Sequence, residues 1–575
     1  MPRRPDTALA REVAKTIFEA FGAYNAEFRR VTQHARVRFE TRDWAGGRLD
    51  AIERIDLYDR YVLETVDALN ERLGDRAQDR DLWVRIKNCF EDEIRDYIDL
   101  EFEKTFFSSV NRRIFGTVGV DPEVEFVALN LDPLARVRPP QQLNVYEHTM
   151  PLEQIFEEVL EDYGFNSPWA DFKGSADYAA GELVRAWKNL GGISRLSRLE
   201  FMRPIFYQNT RAYLVGRALG GSQPQPIILA LANSEDGVFV DAVITSVRDT
   251  SIIFGFTRSY FHADLETVHD AVVFLRSILP RKPLAELFTV LGRARQGKTE
   301  RYRSFFRHLS RSRDLLVEAP GDRGMVMAVF TLPSYDIVFK VIRDRFAYPK
   351  TVVRKDVLEK YSLVFRHDRA GRLVDAQEFK MLRFPRNRFD PALREHLLET
   401  AAGDVKEEGG DLVIRHCYVE RRLRPLNLYL AEASPTAAQH AVLDYGQAIR
   451  DLASTNIFPG DLLLKNFGVT RNGRVIFYDY DELCLVTDCN FRDLPRADSI
   501  EDEMRADAWF YVGDDDVFPE QFSNFLGLSP EHLEIFLQHH GELLTAEYWR
   551  DLKRRHLGGE VVEILPYPRR LSSAA

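Results

Sequence analysis

The sequence is poor in cysteine. It has only four in 575 residues, Cys89, Cys417, Cys484 and Cys489. Four thiols in so long a chain give no disulfide framework, and none lies in the C-x-x-C spacing that is typical of zinc sites. We therefore predict a reducing, cytoplasmic setting.

Long apolar runs and an excess of basic charge are also missing. No stretch of about 18 uncharged apolar residues occurs, and the charged N-terminus is not followed by an apolar run, so we expect neither membrane insertion nor export. The 78 basic residues are outnumbered by 89 acidic ones, which gives a net charge of −11. Because phosphate contacts need a basic surface, this balance argues against a general nucleic-acid binder.

The chain has ample material for buried cores. Its 575 residues, of which 45% are hydrophobic, predict two large globular units. Apolar residues recur at helical spacing over residues 9–115 and again over 270–309, which predicts a helical bundle and later helices. Between them, residues 226–232 and 238–244 read as the strands of a hairpin, so we expect a small sheet to interrupt the helices.

The main domain boundary is predicted near residue 312. We expect a mainly helical domain at 1–312 and a second domain at 313–575, an α+β fold. The second domain shows short β-like runs, one helix at 355–361, and further helices. The β-like runs are residues 315–317, 325–330 and 337–342, with two more around Leu363 and Phe379, and the later helices are predicted at 436–453 and 530–552.

Three residues have the spacing of a protein-kinase centre. Phosphoryl transfer needs metal ligands, a lysine for the phosphates and a carboxylate near the incoming hydroxyl. Asp461 and Asn466 have the Asp-x4-Asn spacing of a kinase catalytic loop, and a hairpin turn at Asn472-Gly473 returns the chain to Asp479. Each residue alone would more often be an ordinary turn residue. Together they predict a catalytic Asp461 with Asn466 and Asp479 as metal ligands.

Two features depart from the common kinase pattern. Pro459-Gly460 replaces the usual His-Arg before the aspartate, and Asp479-Tyr480-Asp481 stands where Asp-Phe-Gly is usual. The second change argues against an ordinary switch of the phenylalanine between two positions.

Upstream residues complete the order that is typical of kinases. The loop at 318–325 lies between two β-like runs, and its glycines would let backbone N–H groups approach phosphates, although such a loop is more often a plain hairpin. Lys340 lies in an apolar strand, where an ammonium needs an anion unless the strand is an edge strand facing solvent. Glu359 is the candidate partner of Lys340, and residues 417–425 are the candidate hinge to the adenine.

Four strings of this sequence closely resemble the bacterial isocitrate dehydrogenase kinase/phosphatase family. They are residues 296–303, 318–327, 331–340 and 458–467. The resemblance covers most of the chain. It implies that residues 1–312 are a regulatory domain and that residues 313–575 are a two-lobed, protein-kinase-like catalytic domain. It also implies a bifunctional enzyme that phosphorylates a serine of NADP-dependent isocitrate dehydrogenase with ATP and removes the phosphate. Such an enzyme sets the flux between the citric acid cycle and the glyoxylate bypass.

The resemblance also implies residue roles. Lys340 matches the nucleotide lysine, and Asp375 matches an aspartate tied chiefly to dephosphorylation, whereas the residues alone would make Asp375 a solvated turn residue. The expected cofactors are ATP or ADP with Mg²⁺ or Mn²⁺. The residues that match the ATP loop are Ala319, Pro320, Gly321, Asp322, Arg323, Gly324 and Met325.

Residues 292–299 match the P-loop pattern G-x4-G-K-T. A P-loop follows a buried strand, but residues 284–291 have helical spacing, so we do not expect a P-loop here. A basic, glycine-containing segment at a domain boundary could still hold the phosphate of a regulatory nucleotide. The resemblance implies control by AMP between the domains, and Lys298 and Tyr302 are the candidate contacts of that nucleotide. A homodimer is also possible.

An acidic and aromatic segment spans residues 488–516. A charge run is most often a solvated face, but this one follows Asp479, where kinases bind protein substrates, so we expect it to help recognise the dehydrogenase. Two other functions stay open, a small-molecule kinase and a pseudokinase scaffold. The intact Lys340, Asp461, Asn466 and Asp479 argue against the scaffold, and the large helical domain argues against a metabolite-only enzyme.

Overall fold

The computed structural model describes residues 4–95, 99–129, 143–221, 223–255, 260–347, 353–367, 369–495 and 510–567. The chain forms two compact units. Unit 1 takes in the described residues of Met1–Arg313, Met381–Arg383 and Leu565–Ala575, and unit 2 those of Asp314–Lys380 and Phe384–Ile564. Within the described ranges, no helix combines the length and apolarity needed to cross a membrane.

Unit 1 begins with four helices that share an aromatic core. Phe21, Tyr24 and Phe106 have ring centroids 5.6–6.3 Å apart, so aromatic packing joins α1 to α4. The helical pattern predicted for this region is confirmed. The helices are α1 (Arg4–Glu40), α2 (Trp44–Leu73), α3 (Arg80–Glu93) and α4 (Leu100–Phe115).

A six-stranded sheet follows in unit 1. Its order is β1-β2-β4-β5-β6 with β3 beside β4, and β5 and β6 form the predicted hairpin. Alternate residues of β5 enter two different cores, Ile227 and Leu229 on one face and Ile228 and Ala230 on the other. The strands are β1 (Leu143–Glu147), β2 (Arg198–Met202), β3 (Phe206–Gln208), β4 (Arg211–Leu219), β5 (Gln225–Asn233) and β6 (Val238–Ile244).

Helices cover both faces of this sheet. The core on one side includes residues of α5 and α6, and the core on the other side includes residues of α7 to α9. The sheet is larger than the small one expected. The helices are α5 (Leu152–Asp162), α6 (Phe172–Trp187), α7 (Val247–Ile253), α8 (Val268–Ile278), α9 (Leu284–Val290) and α10 (Ala294–Arg311).

The two glycines of the P-loop-like segment 292–299 lie where helices α9 and α10 meet. The segment before them is helix α9, as its spacing predicted, and Gly292 follows that helix with φ +87°. Gly297 lies within α10, and a Cβ there would be 2.2 Å from Thr289 Oγ1 and 2.5 Å from the Ala285 carbonyl oxygen. The string is therefore a helix–helix contact and not a strand-to-helix phosphate loop.

The first part of unit 2 is a second six-stranded sheet, with order β10-β12-β9-β8-β7 and β11 beside β12. Phe379 lies on β10 as predicted. The strand predicted around Leu363 is wrong: that residue lies in α11, because Val357, Tyr361 and Val364 bury one helical face. The elements are β7 (Val317–Glu318), β8 (Met327–Thr331), β9 (Ile337–Ile342), α11 (Arg354–His367), β10 (Gln377–Pro385), α12 (Pro391–Thr400), β11 (Val405–Glu408) and β12 (Asp411–Arg421).

The second part of unit 2 is mainly helical, with short strands between the helices. Its core contains Tyr445, Phe458 and Trp549. A sheet followed by a mainly helical part confirms the predicted α+β class. The elements are β13 (Arg424–Pro425), α13 (Leu426–Glu432), α14 (Pro435–Ser454), β14 (Ile457–Phe458), β15 (Phe467–Val469), β16 (Val475–Phe477), β17 (Cys484–Leu485), β18 (Asn490–Phe491), β19 (Asp516–Val517), α15 (Phe522–Phe525), α16 (Pro530–His540) and α17 (Ala546–Leu557).

Candidate functional site

Lys340 is a buried cation with a fixed anion. It lies on β9 and is only 7% exposed. Its Nζ is 2.8 Å from Glu420 Oε2, and it donates a hydrogen bond of 2.7 Å to the carbonyl oxygen of Tyr478. Because an unpaired ammonium would be costly to bury, Glu420 is what allows Lys340 to stay inside the sheet. The edge-strand alternative does not apply.

Glu420 replaces the partner expected from the sequence. In the register of β12 and β9, Tyr418 lies opposite Lys340, and Glu420 is on the same face two residues further along. The Glu359 candidate is wrong, because its side chain is 64% exposed and pairs with Lys355 on α11 at 3.5 Å. In the sequence, Glu420 is marked only as a charged residue within an apolar strand, and nothing there indicates that it pairs with Lys340.

Glu420 and Lys340 also lie close to two further carboxylates. Burial raises the pKa of Glu420, Lys340 lowers it, and the charges of Asp479 and Asp375 raise it again. The charges of Asp375 and Asp479 therefore act on the Glu420 carboxylate that pairs with Lys340. This is a highly charged site in which a bound phosphate would need cations beside it.

The catalytic-loop segment begins after β14. Gly460 has φ +77°, and a Cβ at this position would lie 2.5 Å from the carbonyl oxygen of Glu482. Only glycine fits both conditions, which accounts for the glycine that directly precedes Asp461. Asp461 is partly buried, and its pKa is raised first by burial and then by the nearby charge of Glu482.

Asn466 ends the short 3-10 turn Leu464–Asn466 and is 4% exposed. Its Nδ2 donates to the carbonyl oxygen of Asp461 at 3.2 Å, so the amide oxygen Oδ1 is the atom left to bind a cation. The N–H of Tyr478 donates to the Asn466 carbonyl oxygen at 3.0 Å. Asp479 is the next residue, so the backbone that precedes it is bonded to both Asn466 and Lys340.

The predicted hairpin between Asn466 and Asp479 is present. Phe467 lies opposite Phe477 in the pairing of β15 and β16. Its turn is closed by a hydrogen bond of 2.9 Å from Gly473 N–H to the Thr470 carbonyl oxygen. The hairpin thus sets the distance along the chain between the two candidate metal ligands.

Asp375 is buried and not in a solvated turn. It is 8% exposed, and Gln377 Nε2 donates to its Oδ2 at 3.1 Å. The segment before it is held against β16, because Val374 N–H donates to the Phe477 carbonyl oxygen at 3.1 Å. The hydroxyl of Tyr480 donates to the Val374 carbonyl oxygen at 2.7 Å. The residue next to Asp479 therefore helps to position the residue before Asp375.

A buried arginine, Arg372, also holds this segment against β16. Arg372 Nε donates to Asp451 at 2.7 Å, and its two Nη atoms donate to Asp444 at 2.8 Å each. Arg372 Nη1 also donates to the Val475 carbonyl oxygen at 2.9 Å. The network fixes the start of the 372–375 segment on β16, and no pattern in the sequence predicts it.

The predicted ATP loop connects β7 to β8. Its residues from Pro320 to Met325 are exposed, and Gly321 has φ +120°. Arg323 Nε pairs with Glu318 Oε1 at 2.8 Å, which joins the two ends of the loop. An exposed glycine-containing loop with an arginine is compatible with phosphate contacts.

The candidate regulatory residues lie on α10 in unit 1. Lys298 and Tyr302 are one helical turn apart and so lie on the same face. The Tyr302 ring is 4.4 Å from that of Phe306, and burial raises the pKa of its hydroxyl to about 12.

The acidic and aromatic segment is only partly described, since residues 496–509, Trp509 among them, lie outside the described residues. Its two ends meet where β18 and β19 pair in parallel. The Arg492 guanidinium lies 5.4 Å from the Phe518 ring centroid and is ion-paired with Asp516. Beyond them, the Tyr511 side chain is 82% exposed.

Comparisons with known proteins cover almost the whole chain. The protein-family model described as "Isocitrate dehydrogenase kinase/phosphatase (AceK) kinase domain" matches residues 314–569. The family model of the regulatory domain of the same protein matches residues 14–313. The isocitrate dehydrogenase kinase/phosphatase of Xanthomonas campestris pv. campestris is 49% identical over 570 residues, with 98% of each chain covered. The protein of the same name from an Anaeromyxobacter species is 48% identical over 554 residues, with 96% of each covered.

Proposed function

Because this chain belongs to the isocitrate dehydrogenase kinase/phosphatase family, we propose that one site in unit 2 both phosphorylates isocitrate dehydrogenase and removes that phosphate. The observation that carries the proposal is the set of contacts around Lys340. That ammonium pairs with Glu420 and is bonded to the residue before Asp479. The kinase ligands and Asp375 thus share one neighbourhood.

ATP is the phosphoryl donor. Residues 319–325 and Lys340 are proposed to hold its phosphates, the loop through backbone N–H groups and Lys340 through its charge. Asn466 Oδ1 and the Asp479 carboxylate form a set of hard oxygen donors, which suits Mg²⁺ or Mn²⁺. The metal, when bound, would neutralise phosphate charge during transfer.

Asp461 is proposed to orient the serine hydroxyl and accept its proton. The serine oxygen forms a bond to the γ-phosphorus while the bond from that phosphorus to the β,γ-bridging oxygen breaks. Burial and the charge of Glu482 raise the pKa of Asp461, so this carboxylate holds a proton more readily than an exposed aspartate.

In dephosphorylation a water attacks the phosphorus of the phosphoserine. A bond from the water oxygen to that phosphorus forms, the bond from the phosphorus to the serine oxygen breaks, and the serine leaves as a hydroxyl with a proton taken from the water. Asp375 is proposed to position that water, because it lies in the same charged neighbourhood as Lys340 but on a different segment from Asp461. Its position depends on the hydrogen bonds that hold the 372–375 segment to β16. The two reactions therefore share phosphate contacts and differ in the carboxylate beside the nucleophile.

Two further roles extend the proposal. Tyr302 and Lys298 would contact AMP, through ring stacking and a phosphate contact respectively. The exposed Tyr511 beyond β18 would contact the dehydrogenase, because exposed tyrosines often anchor protein interfaces.

The test follows the phosphate in both directions. The protein is incubated with labelled ATP, Mg²⁺ and isocitrate dehydrogenase, and unlabelled nucleotide is then added. We expect label on a serine of the dehydrogenase and its later release. Asp375→Asn should label the dehydrogenase but release phosphate at least about tenfold more slowly, because a positioned carboxylate typically contributes 10²–10⁴-fold.

The matched variants separate the possible outcomes. Asp461→Asn should lose labelling, whereas Asp551→Asn, whose side chain is 54% exposed on α17, should behave as the native protein. No label on the dehydrogenase with the native protein would refute the proposed function. Equal loss of labelling and release in Asp375→Asn would refute the separate role of Asp375.

A further inference from the structure

Two cysteines lie side by side in the segment that follows Asp479. Cys484 is on β17, Cys489 directly precedes β18, and their Sγ atoms are 3.5 Å apart. Cys489 is 3% exposed, and Cys484 is partly exposed. Neither thiol has a part in the phosphoryl transfer described above.

The backbone between the two thiols is held in place by Asn456. Val486 N–H donates to the Asn456 carbonyl oxygen at 3.2 Å, and Thr487 N–H donates to Asn456 Oδ1 at 3.0 Å. Lys553 Nζ donates to the Cys489 carbonyl oxygen at 2.7 Å. These bonds hold the 484–489 turn in a conformation that keeps the sulfurs close.

The surroundings of the two thiols differ. The hydrogen bond between them lowers the pKa of Cys484, burial opposes this, and the charge of Lys360 lowers it further. The same hydrogen bond and burial raise the pKa of Cys489. Cys484 is thus the more exposed thiol and the more readily ionised one, and the thiolate is the form that reacts with oxidants.

We propose that Cys484 and Cys489 are a reversible modification site that forms a disulfide on exposure to hydrogen peroxide. The Cys484 thiolate attacks one peroxide oxygen, the O–O bond breaks, and a sulfenic acid forms while hydroxide leaves and takes up a proton as water. The Cys489 sulfur then attacks the Cys484 sulfur, the S–O bond breaks, and a second water leaves with the Cys489 proton. Two thiols are oxidised and one peroxide is reduced to two waters.

The disulfide would act on the catalytic loop through strand pairing. Bond formation must bring the sulfurs from 3.5 Å to about 2.05 Å, which pulls on β17. Phe458 on β14 lies opposite Cys484, and the Glu482 carbonyl oxygen lies against Gly460, next to Asp461. Oxidation should therefore lower kinase activity. This consequence rests on the proposed function, whereas the modification site itself does not.

One tryptic peptide reports on the bond directly. Residues 475–492 contain both cysteines and no internal lysine or arginine. After peroxide treatment of the whole protein, we expect this peptide to be lighter by two hydrogen atoms and to regain them with dithiothreitol. In Cys489→Ser the sulfenic acid on Cys484 has no resolving thiol, so dimedone should label it far more than in the native protein.

Control variants and activity complete the test. Cys89→Ser and Cys417→Ser should still form the bond. Two free thiols remaining in the native peptide, at a peroxide concentration that gives the dimedone adduct in Cys489→Ser, would overturn the proposal.

Native kinase activity should fall about tenfold with the bond formed and recover with reductant, because small displacements in a site are costly. Cys484→Ser should resist peroxide. A full bond with unchanged activity would overturn the coupling to the catalytic loop, and absence of label from the reduced protein would instead refute the proposed function.

Discussion

Glu420 fixes the position of Lys340, because a buried ammonium with one strong anion has little freedom to move. We expect Glu420→Ala to lower kcat/KM for ATP by about 10²-fold, because Lys340 would lose its fixed position and a misplaced group in a site typically costs about that much. Steady-state kinase assays at varied ATP concentration measure this. Glu359→Ala, with its exposed side chain on α11, is the matched control and should stay near native. Similar losses in both variants would contradict the assignment.

Glu103 makes the stability of unit 1 depend on pH. This residue of α4 is fully buried, and burial, with a smaller contribution from Asp99, raises its pKa from 4.5 to about 8. Between these two pH values the folded chain therefore keeps a proton on Glu103, whereas the unfolded chain has released it. The stabilisation is fully present below about pH 4.5 and is lost as the pH rises through about 8.

Glu103→Gln cannot ionise, so its stability should lack this pH dependence. The difference in melting temperature, variant minus native, should rise by a few degrees between pH 5 and pH 8.5. Melting in matched buffers, followed by intrinsic fluorescence, measures it. Glu93→Gln, at an exposed position of α3, should show a flat difference. A flat difference for Glu103→Gln as well would rule out the buried proton.

The residues that could be predicted from the sequence are those whose spacing is local. Asp461, Asn466 and Asp479 follow one another through a loop and a hairpin, so chain distance alone brings them together. Glu420 could not be predicted, because its contact with Lys340 depends on which strand pairs with β9. The burial of Asp375 depends likewise on distant hydrogen bonds from the hairpin.

At the level of elements, the hairpin of β15 and β16 does more than return the chain. It also carries the 372–375 segment on its outer side, through the Val374 and Arg372 bonds to β16. Tyr480 adds a third bond, and this gives a physical reason for tyrosine in place of phenylalanine in the Asp479-Tyr480-Asp481 string. Its hydroxyl donates to the Val374 carbonyl oxygen, a bond that phenylalanine cannot make.

Tyr480→Phe should therefore weaken dephosphorylation more than phosphorylation. Loss of one buried hydrogen bond typically costs about 1 kcal/mol, so we expect phosphate release to slow by about fivefold with kinase activity within about twofold of native. Release of labelled phosphate from the dehydrogenase measures the first, and initial labelling measures the second. Tyr429→Phe, in α13, is the control. Equal effects on both rates would mean that Tyr480 acts on Asp479 and not on Asp375.

Elements were predicted best where one periodicity covers a long segment, as in α1, α10 and the hairpin of β5 and β6. The error around Leu363 has a simple origin. The apolar run is short, and only the burial of Val357, Tyr361 and Val364 on one side decides that it is helical. The extent of the unit 1 sheet could not be predicted from the sequence either, because β1 and β2 pair with each other although the helices α5 and α6 lie between them in the chain.

At the level of the whole molecule, unit 1 is not continuous in sequence. The chain leaves it at Arg313, and the described residues of Met381–Arg383 and 565–567 belong to it again. Tyr567 is the described residue that anchors this return. It is 6% exposed. Its hydroxyl accepts a hydrogen bond from Arg211 Nε at 3.0 Å and donates one to Asp241 Oδ2 at 3.1 Å. A domain map read along the chain cannot show this, because nothing local marks the tail as part of the first unit.

Tyr567→Phe should destabilise unit 1 alone. The change leaves the buried Arg211 and Asp241 with one hydrogen bond fewer, a cost of about 1–3 kcal/mol. Hydrogen exchange followed by mass spectrometry on the whole protein should show faster exchange in β4 and β6, with β16 of unit 2 unchanged. Tyr511→Phe, with its 82% exposed side chain, should leave all three strands as they were. Faster exchange confined to β16 would mean that the tail stabilises unit 2 instead.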